Sequence, residues 1–113
     1  MPYIDLKTNV AVSEEKKTAL KSALGQAITL LPGKSEQWLM VGIQPAYDLW
    51  FQGSDAPAAM IHVEVLGGAD PAAYEKMSGA LCRICAEELG LPQNRVYVCY
   101  SETENWGWNG SNF

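Results

Sequence analysis

The sequence predicts an α+β fold in which a β-α-β unit occurs twice, giving a four-stranded mixed sheet with two helices on one face. Hydrophobic residues alternate in four short segments and recur at helical spacing in two longer segments between them. The order strand, helix, strand repeats in two units of similar length. With 113 residues, 48% of them hydrophobic, the chain suits one domain that spans residues 1–113.

The first unit begins with the segment YIDLKTNV, in which hydrophobic and polar residues alternate as in a strand. Ser13 is a candidate cap for the helix that follows, and the pair Pro32-Gly33 ends that helix. The segment WLMVGI, from Trp38 to Ile43, is the second predicted strand. The apolar stripe of the helix consists of Leu20, Ala23, Leu24, Ala27, Ile28 and Leu31.

The second unit repeats this order. The segment AAMIHVEVL alternates from Ala58 to Leu66 and predicts the third strand. Asp70 is a candidate cap followed by Pro71 at the first helical position, and Gly90 ends the helix. The segment RVYVCY supplies the last predicted strand. The apolar stripe of this helix consists of Met77, Leu81, Ile84 and Cys85.

One face of the predicted sheet has no helix to cover it. Its side chains are a mixture of aromatic, apolar and charged groups, which is unusual for a face in contact with water alone. We therefore expect other subunits to cover it, in a homo-oligomer. The residues of this face are Tyr3, Asp5, Trp38, Met40, His62, Glu64, Tyr97 and Cys99.

The C-terminal segment NWGWNGSNF carries three large rings, those of Trp106, Trp108 and Phe113. The segment has neither the period of a helix nor that of a strand, and chain ends are usually polar and frayed. We expect contact with another subunit to order this segment.

Composition and charge exclude several classes of function. The formal net charge is −5 and the eight Lys and Arg residues form no run, so no nucleic acid is predicted as a partner. No apolar stretch approaches about 18 residues, so no contact with a membrane is predicted. The N-terminal segment lacks the apolar core of a signal peptide, and three cysteines are a sparse, odd count. These features predict a cytoplasmic protein, with secretion by a non-classical route left open.

No motif in the chain predicts a cofactor or a metal. Glycine-rich phosphate loops and serine nucleophile elbows are missing. His62 is the one histidine and cannot build a zinc site alone, and Glu64 on the same strand face is its expected partner. Cys82 and Cys85 form a C-x-x-C late in a helix, where the dipole does not favour a thiolate, so we expect structural thiols. Cys99 has no obvious base beside it.

The remaining candidate chemistry lies at the pair Met1-Pro2. Initiator methionine is normally removed before a small second residue, and its removal would leave Pro2 as a secondary amine at the start of a strand. An apolar pocket and a nearby cation would draw the pKa of that amine toward 7, as a general base requires. Lys34, just after a helix stop, is the candidate cation. Each residue alone is ordinary, but together with the aromatic tail they predict a pocket for a small aromatic acid.

The chain is similar to the macrophage migration inhibitory factor family in five segments, which occur in the same order along nearly its whole length. These segments are MP…TNV, GK…Q, FQGSDAPA, RVYV and NWGWNGSNF. The resemblance implies a homotrimer of duplicated β-α-β subunits with sites between subunits. It also implies keto–enol tautomerisation of phenylpyruvate-like 2-keto acids and of dopachrome derivatives.

Two alternatives accompany this interpretation. One is a cytokine-like protein that binds a receptor-like partner and keeps only a vestigial pocket. The other is different chemistry on the same scaffold, dehalogenation or decarboxylation by an N-terminal proline. That chemistry needs arginines near the site, and Arg83 on a helix and Arg95 at the start of the last strand fit poorly.

The resemblance also implies roles for single residues. Pro2 matches the catalytic base, Lys34 the lysine that holds the acid or carbonyl oxygen of the substrate, and Leu66 a donor of its backbone amide. Tyr97 and Cys99 would come from the adjacent subunit. The aromatic wall and mouth of the pocket would consist of Tyr97, Trp106, Trp108, Phe113 and Trp38.

Several positions depart from the family pattern. Cys99 stands in place of an asparagine, and a thiol is a weaker hydrogen-bond donor. Glu64 replaces a histidine, and its carboxylate would compete with the acid of the substrate for Lys34. Trp106 replaces a small aliphatic residue and narrows the pocket. We therefore predict weak activity, better on phenylpyruvate than on dopachrome methyl ester. The segment AAMI replaces the C-x-x-C of the family, so no thiol–disulfide activity is expected.

Overall fold

The structure, a computed structural model, describes residues 1–113. It contains two helices, four strands of five or more residues, a short C-terminal hairpin and three single-turn 3₁₀ segments. In chain order the elements are β1 Pro2–Thr8, α1 Glu14–Ala27, β2 Met40–Gln44, β3 Ala59–Leu66, α2 Pro71–Leu89, β4 Val96–Thr103, β5 Gly107–Trp108 and β6 Ser111–Asn112.

The four main strands form one mixed sheet in the order β2-β1-β3-β4. Each β-α-β unit contributes a parallel pair, β1 with β2 and β3 with β4, because a helical crossover returns the chain in the same direction. The two units meet where β1 pairs antiparallel with β3. The predicted α+β fold with a four-stranded mixed sheet is confirmed.

The core lies between one face of the sheet and the two helices. Along β1 and β3 every second residue is buried, while its neighbours remain partly covered. Thr8 is a buried polar residue, and its hydroxyl donates to the carbonyl of Ala58 at 2.8 Å, which satisfies it. Truncating a fully buried Leu or Ile to Ala would cost about 2–5 kcal/mol. Such residues are Ile4, Leu6, Leu20, Leu24, Ile28, Leu31, Ile61, Leu81 and Leu91.

The ends of the helices follow local signals. The side chain of Ser13 accepts a hydrogen bond from the backbone N–H of Lys16 at 3.2 Å, so the predicted cap of α1 is confirmed. The chain then tightens into a 3₁₀ turn over Ile28–Leu30, so α1 ends slightly earlier than predicted. Helix α2 starts at Pro71 and ends before Gly90, which adopts a left-handed conformation with φ of 66°. Both predicted limits of α2 are confirmed.

The position of Trp38 corrects the prediction for the second strand. Trp38 ends a 3₁₀ turn that starts at Glu36, and β2 begins only at Met40. The reason lies in β1, whose pairing with β2 starts at Tyr3 opposite Met40. Before Tyr3, β1 contains only Pro2, so the residues before Met40 have almost no strand beside them, and local hydrogen bonds within the turn replace a ladder. Trp38 therefore does not lie on the uncovered face of the sheet.

The C-terminal segment also differs from the prediction, because it forms a hairpin. Strands β5 and β6 pair antiparallel, and the turn between them consists of Asn109 and Gly110, with φ of 53° and 87°. An Asn-Gly pair with two positive φ angles is the preferred two-residue hairpin turn. This dipeptide was the sequence signal for the hairpin, although strands of two residues are too short to show a period.

The second face of the sheet is not covered by any element of the chain. Met40 and Tyr97 on this face are 68% and 60% exposed. Strands β2 and β4 are the two edges of the sheet. The uncovered face and the open edges together are the surfaces that the predicted oligomer would cover.

Neither helix combines the length and the apolar character needed to cross a membrane.

Candidate active site

The start of the chain lies inside the sheet. Pro2 is buried and pairs in register with Val65 of β3. The backbone N–H of Leu66 donates to the carbonyl of Met1 at 3.0 Å. With Met1 in place, the nitrogen of Pro2 is part of a peptide bond and the Leu66 amide is occupied. The free amine in this structure is that of Met1.

Lys34 reaches the same end of the sheet. Its Nζ donates to the carbonyl of Leu66 at 2.7 Å, and the residue is partly buried. Gly33 before it has φ of 80°, which turns the chain toward β3 after the helix. Lys34 takes part in none of the salt bridges of the chain. An ammonium group with three donors therefore keeps donors free for an anion.

The surroundings of the N-terminal amine disfavour its charged form. Burial, and second the positive charge of Lys34, lower the pKa of the Met1 amine from its ordinary value.

The rings of three residues pack together beside this end of the sheet. Trp38 meets Trp108 edge to face at 5.1 Å between ring centroids, and meets Phe113 at 5.8 Å. Trp108 and Phe113 stack at 5.8 Å with 13° between their planes. All three rings remain between 39% and 55% exposed. The tail thus orders its rings against Trp38 of its own chain, and they keep an open surface.

Trp106 has a different position in the tail. Its carbonyl accepts the N–H of Phe113 at 3.0 Å, which closes the hairpin. Its side chain is partly buried.

Tyr97 and Cys99 lie far from Pro2 in the single chain. Tyr97 pairs with Met60, which pairs with Lys7 of β1. Lys7 lies five residues after Pro2 in β1, and this corresponds to about 16 Å at 3.3 Å per residue. The ring of Tyr97 packs instead on Phe51, at 4.5 Å between centroids.

The single chain brings together only some of the predicted site residues. Pro2, Lys34 and Leu66 meet at one end of the sheet, with the aromatic rings of the tail beside them. No cavity of the single chain is lined by Pro2 or Lys34. Tyr97 and Cys99 lie apart from these residues in the single chain.

Glu64 contacts His62 rather than Lys34. Its Oε1 lies 3.5 Å from Nδ1 of His62, as predicted for that pair. The other ring nitrogen of His62 lies 2.7 Å from the hydroxyl of Ser101. The predicted direct competition of Glu64 for Lys34 is not found in the single chain, because the lysine is bound to the Leu66 carbonyl.

The cysteines form no bond with one another. Cys82, Cys85 and Cys99 are all free thiols. Burial raises the pKa of the Cys82 thiol, and burial raises that of Cys85 to about 12. Both groups are therefore protonated and unreactive at neutral pH. No three His, Cys, Asp or Glu side chains lie in an arrangement that could hold a metal ion.

These features define a class of protein. Proteins of this class have a duplicated β-α-β fold, in which the start of the chain, a lysine and a backbone amide lie together at one end of the sheet. A family model described as macrophage migration inhibitory factor matches residues 1–113. The chain therefore belongs to the macrophage migration inhibitory factor family, which includes tautomerase activity and cytokine roles and whose members form oligomers.

Comparison with single relatives agrees with the family match. Macrophage migration inhibitory factor from Meriones unguiculatus is 34% identical, with 100% of this chain and 99% of that protein covered. The protein of the same name from Xenopus laevis is 32% identical, with the same coverage.

Solved structures agree as well. The crystal structure of Leishmania major MIF2 matches with a TM-score of 0.93 at 34% identity, over 100% of this chain and 97% of that chain. Macrophage migration inhibitory factor from Toxoplasma gondii matches with a TM-score of 0.91 at 28% identity, over 98% and 99% of the two chains.

Proposed function

We propose that this chain is a cofactor-free keto–enol tautomerase for phenylpyruvate-like 2-keto acids, with Pro2 as the general base after removal of Met1. The observation that carries the proposal is the meeting of the chain start, Lys34 and Leu66 at one end of the sheet. An amine with a lowered pKa, a cation and a backbone N–H are the groups that enolisation of a 2-keto acid needs.

The amine is the base. Burial and the charge of Lys34 lower the pKa of the Met1 amine. After removal of Met1, the Pro2 amine would lie one residue further into the sheet and would meet the same two influences, so a larger share of it would be neutral at pH 7. Pro2 is buried within β1, and its ring fixes the backbone. A base held in this way loses little entropy when it meets the substrate.

Removal of Met1 would free two groups at once. It would create the secondary amine of Pro2, and it would take away the carbonyl that now accepts the N–H of Leu66 at 3.0 Å. That N–H would then be an unpaired donor beside the new amine and Lys34. A partly buried donor without a partner favours a ligand oxygen that can accept from it.

In the proposed reaction, Pro2 carries one proton between the enol oxygen and C3 of the 2-keto acid. Negative charge develops on the oxygen at C2 during this transfer. Lys34 and the Leu66 amide stabilise that charge, and Lys34 also holds the acid. Trp38, Trp108 and Phe113 offer half-exposed ring surface for the aromatic group of the substrate.

The site would be completed in a homotrimer. In the single chain, Tyr97 and Cys99 lie far from Pro2, and the sheet face that carries Tyr97 is uncovered. A neighbouring copy would bring both residues to the pocket and would cover this face. The weak thiol donor of Cys99 is one reason to expect modest activity.

The test replaces Pro2 by Gly and follows phenylpyruvate tautomerisation. The loss of the secondary amine is expected to reduce kcat/KM by about 10²-fold or more, the range of general-base catalysis. Retention of Met1, checked by mass spectrometry, should reduce kcat/KM to a similar extent, because the Pro2 nitrogen is then an amide. Pro92→Ala, at an exposed proline before β4, serves as the matched control. Full activity of Pro2→Gly would overturn the proposal.

A further inference from the structure

The loop that follows β3 is hydrogen-bonded to the carboxylate of Glu102 on β4. Oε2 of Glu102 accepts the hydroxyl of Tyr74 at 2.5 Å and the backbone N–H of Ala69 at 3.3 Å. The N–H of Gly67 donates to the carbonyl of Thr103 at 2.8 Å. The loop is therefore tied to both β4 and α2.

Gly68 allows the carboxylate to approach the loop this closely. A Cβ added at Gly68 would overlap the carboxylate of Glu102. The absence of a side chain at residue 68 and the length of the glutamate together make the contact possible. Burial, and next the hydrogen bond to Glu102, raises the pKa of Tyr74 to about 12, so its hydroxyl stays a donor at all physiological pH values.

This loop follows Leu66, the residue that contacts both Lys34 and the start of the chain. The carbonyl of Leu66 holds Lys34 at 2.7 Å, and its amide faces the chain start. Glu102 is in register with Val65, and Val65 with Pro2. The carboxylate thus lies in the same row across the sheet as the proposed base, two strands away.

We propose that Glu102 is a positioning residue, which fixes the loop after Leu66 so that the Leu66 carbonyl and amide hold Lys34 and the substrate beside Pro2. The inference rests on the proposed function, because it concerns the same site. Glu102 acts through Ala69 and Tyr74 and does not contact the substrate.

The test compares four single variants, Glu102→Ala, Glu102→Gln, Tyr74→Phe and Glu104→Ala, and one double variant that combines Tyr74→Phe with Glu102→Ala. Glutamine keeps an oxygen that accepts both hydrogen bonds but removes the charge. Glu104 lines the same cavity of about 430 Å³ as Glu102 and makes no side-chain hydrogen bond, so it is the matched control for charge. Thermal unfolding and oligomer mass are measured for each variant.

Two quantities are read out. The first is kcat and KM for phenylpyruvate. The second is the pKa of the N-terminal amine, from the pH dependence of its labelling by phenyl isothiocyanate, followed on the N-terminal peptide by mass spectrometry. Only a neutral amine reacts, so the labelling rate reports the pKa without any catalysis.

Loss of positioning and loss of charge act on this pKa in opposite directions. Removing a carboxylate favours the neutral amine and lowers its pKa. Releasing the loop lets Lys34 move away from the amine and lets water enter. Both changes favour the charged amine and raise its pKa. We expect Glu102→Ala to raise the pKa and to reduce kcat/KM by about tenfold, within the cost of a misplaced group. Glu102→Gln and Glu104→Ala should stay within about twofold of wild type in kcat/KM, since the loop stays tied.

Tyr74→Phe keeps the proposal testable if Glu102→Ala fails to fold. This substitution removes one of the two hydrogen bonds to Glu102. We expect a smaller rise in the pKa of the amine and a smaller loss of kcat/KM than in Glu102→Ala. Tyr74→Phe combined with Glu102→Ala should be no worse than Glu102→Ala alone, because both act through one contact. An amine pKa that is unchanged or lowered in Glu102→Ala, or in Tyr74→Phe where that variant must stand in, would overturn the inference.

The outcome separates the inference from the proposed function. Absence of tautomerase activity in wild type would remove the proposed function, while the labelling experiment would still decide whether Glu102 positions Lys34. If the wild type is active and Glu102→Ala changes neither the pKa of the amine nor kcat/KM, the inference about Glu102 is wrong and the proposed function stands.

Discussion

At the scale of single residues, the contacts of Lys34 set the electrostatics of the proposed site. Its ammonium is bound to the Leu66 carbonyl and not to a carboxylate. Its charge is therefore available both to a bound acid and to the amine at the chain start. The same residue can hold the substrate and tune the base.

Lys34→Gln is expected to raise the pKa of the N-terminal amine, because it removes the second cause that lowers it. The amine acts as a base only when neutral, above its pKa. The acid limb of the pH profile of kcat/KM should therefore move to higher pH. KM for phenylpyruvate should rise as well.

Lys21→Gln, at an exposed residue of α1, is the control for this experiment and should leave the profile unchanged. An acid limb that stays in place in Lys34→Gln would show that the lysine charge does not act on the base.

The contacts of Glu64 change the expected effect of this residue on substrate binding. Because its carboxylate contacts His62, its effect on Lys34 is a longer-range one. We expect Glu64→Gln to lower KM for phenylpyruvate by only about twofold, as for a screened charge pair. KM for an ester substrate, which lacks the acid, should not change. An equal change for acid and ester would mean that the carboxylate does not act on the bound acid.

At the scale of elements, the C-terminal hairpin orders the aromatic surface. Its Asn109-Gly110 turn places Trp108 and Phe113 so that both meet Trp38. Aromatic pairs of this kind contribute about 0.5–1.5 kcal/mol beyond their buried area. A two-residue turn therefore decides whether three half-exposed rings form one surface.

Gly110→Ala should loosen this surface. Gly110 has φ of 87°, and a side chain there costs about 1 kcal/mol or more. We expect a weaker near-UV circular dichroism signal from the tryptophans and a raised KM for phenylpyruvate. Gly53→Ala is the matched control, since Gly53 has φ of 74° and open space around it, in the loop between β2 and β3. Equal spectra for the two variants would contradict the role of the hairpin.

At the scale of the whole molecule, the proposed function places residues of two chains in one site. Pro2 and Lys34 lie near each other within a chain, whereas Tyr97 lies apart from them in that chain and would have to come from another. This division can be tested by mixing subunits.

Pro2→Gly and Tyr97→Ala are expected to be weak or inactive when each is assembled alone. Refolded together, they should regain activity, because about a quarter of the sites in random mixed trimers combine an intact Pro2 with an intact neighbouring Tyr97. The measurement is phenylpyruvate turnover of the mixed trimers against that of each variant alone.

Pro2→Gly mixed with Lys34→Gln is the control. Both residues belong to the same chain at each site, so no intact site can form, and the activity of the mixture should not exceed the average of the two variants. Mixed trimers of Pro2→Gly and Tyr97→Ala without recovered activity would contradict a site shared between subunits.

Part of the candidate site was accessible to sequence reasoning. Pro2 and Lys34 were identified from their positions, at the start of a strand and just after a helix stop, whereas Leu66 was identified only through the resemblance to the family. That the three residues lie together depends on the pairing of β1 with β3 and on the contact of Lys34 with Leu66, which only the structure supplies. The partner of Glu64 was predicted from local position, since residues two apart share a strand face.

The sequence by itself determined the order of elements, the alternation of the core strands, the cap of α1 and both limits of α2. These depend on local periods, caps and turns, which act over a few residues. The tertiary structure alone decided that Trp38 leaves the strand, that the tail packs on it, and that Glu102 holds the loop after Leu66. Each of these depends on contacts between residues far apart in the chain, and their free energy is set by which neighbours the fold supplies.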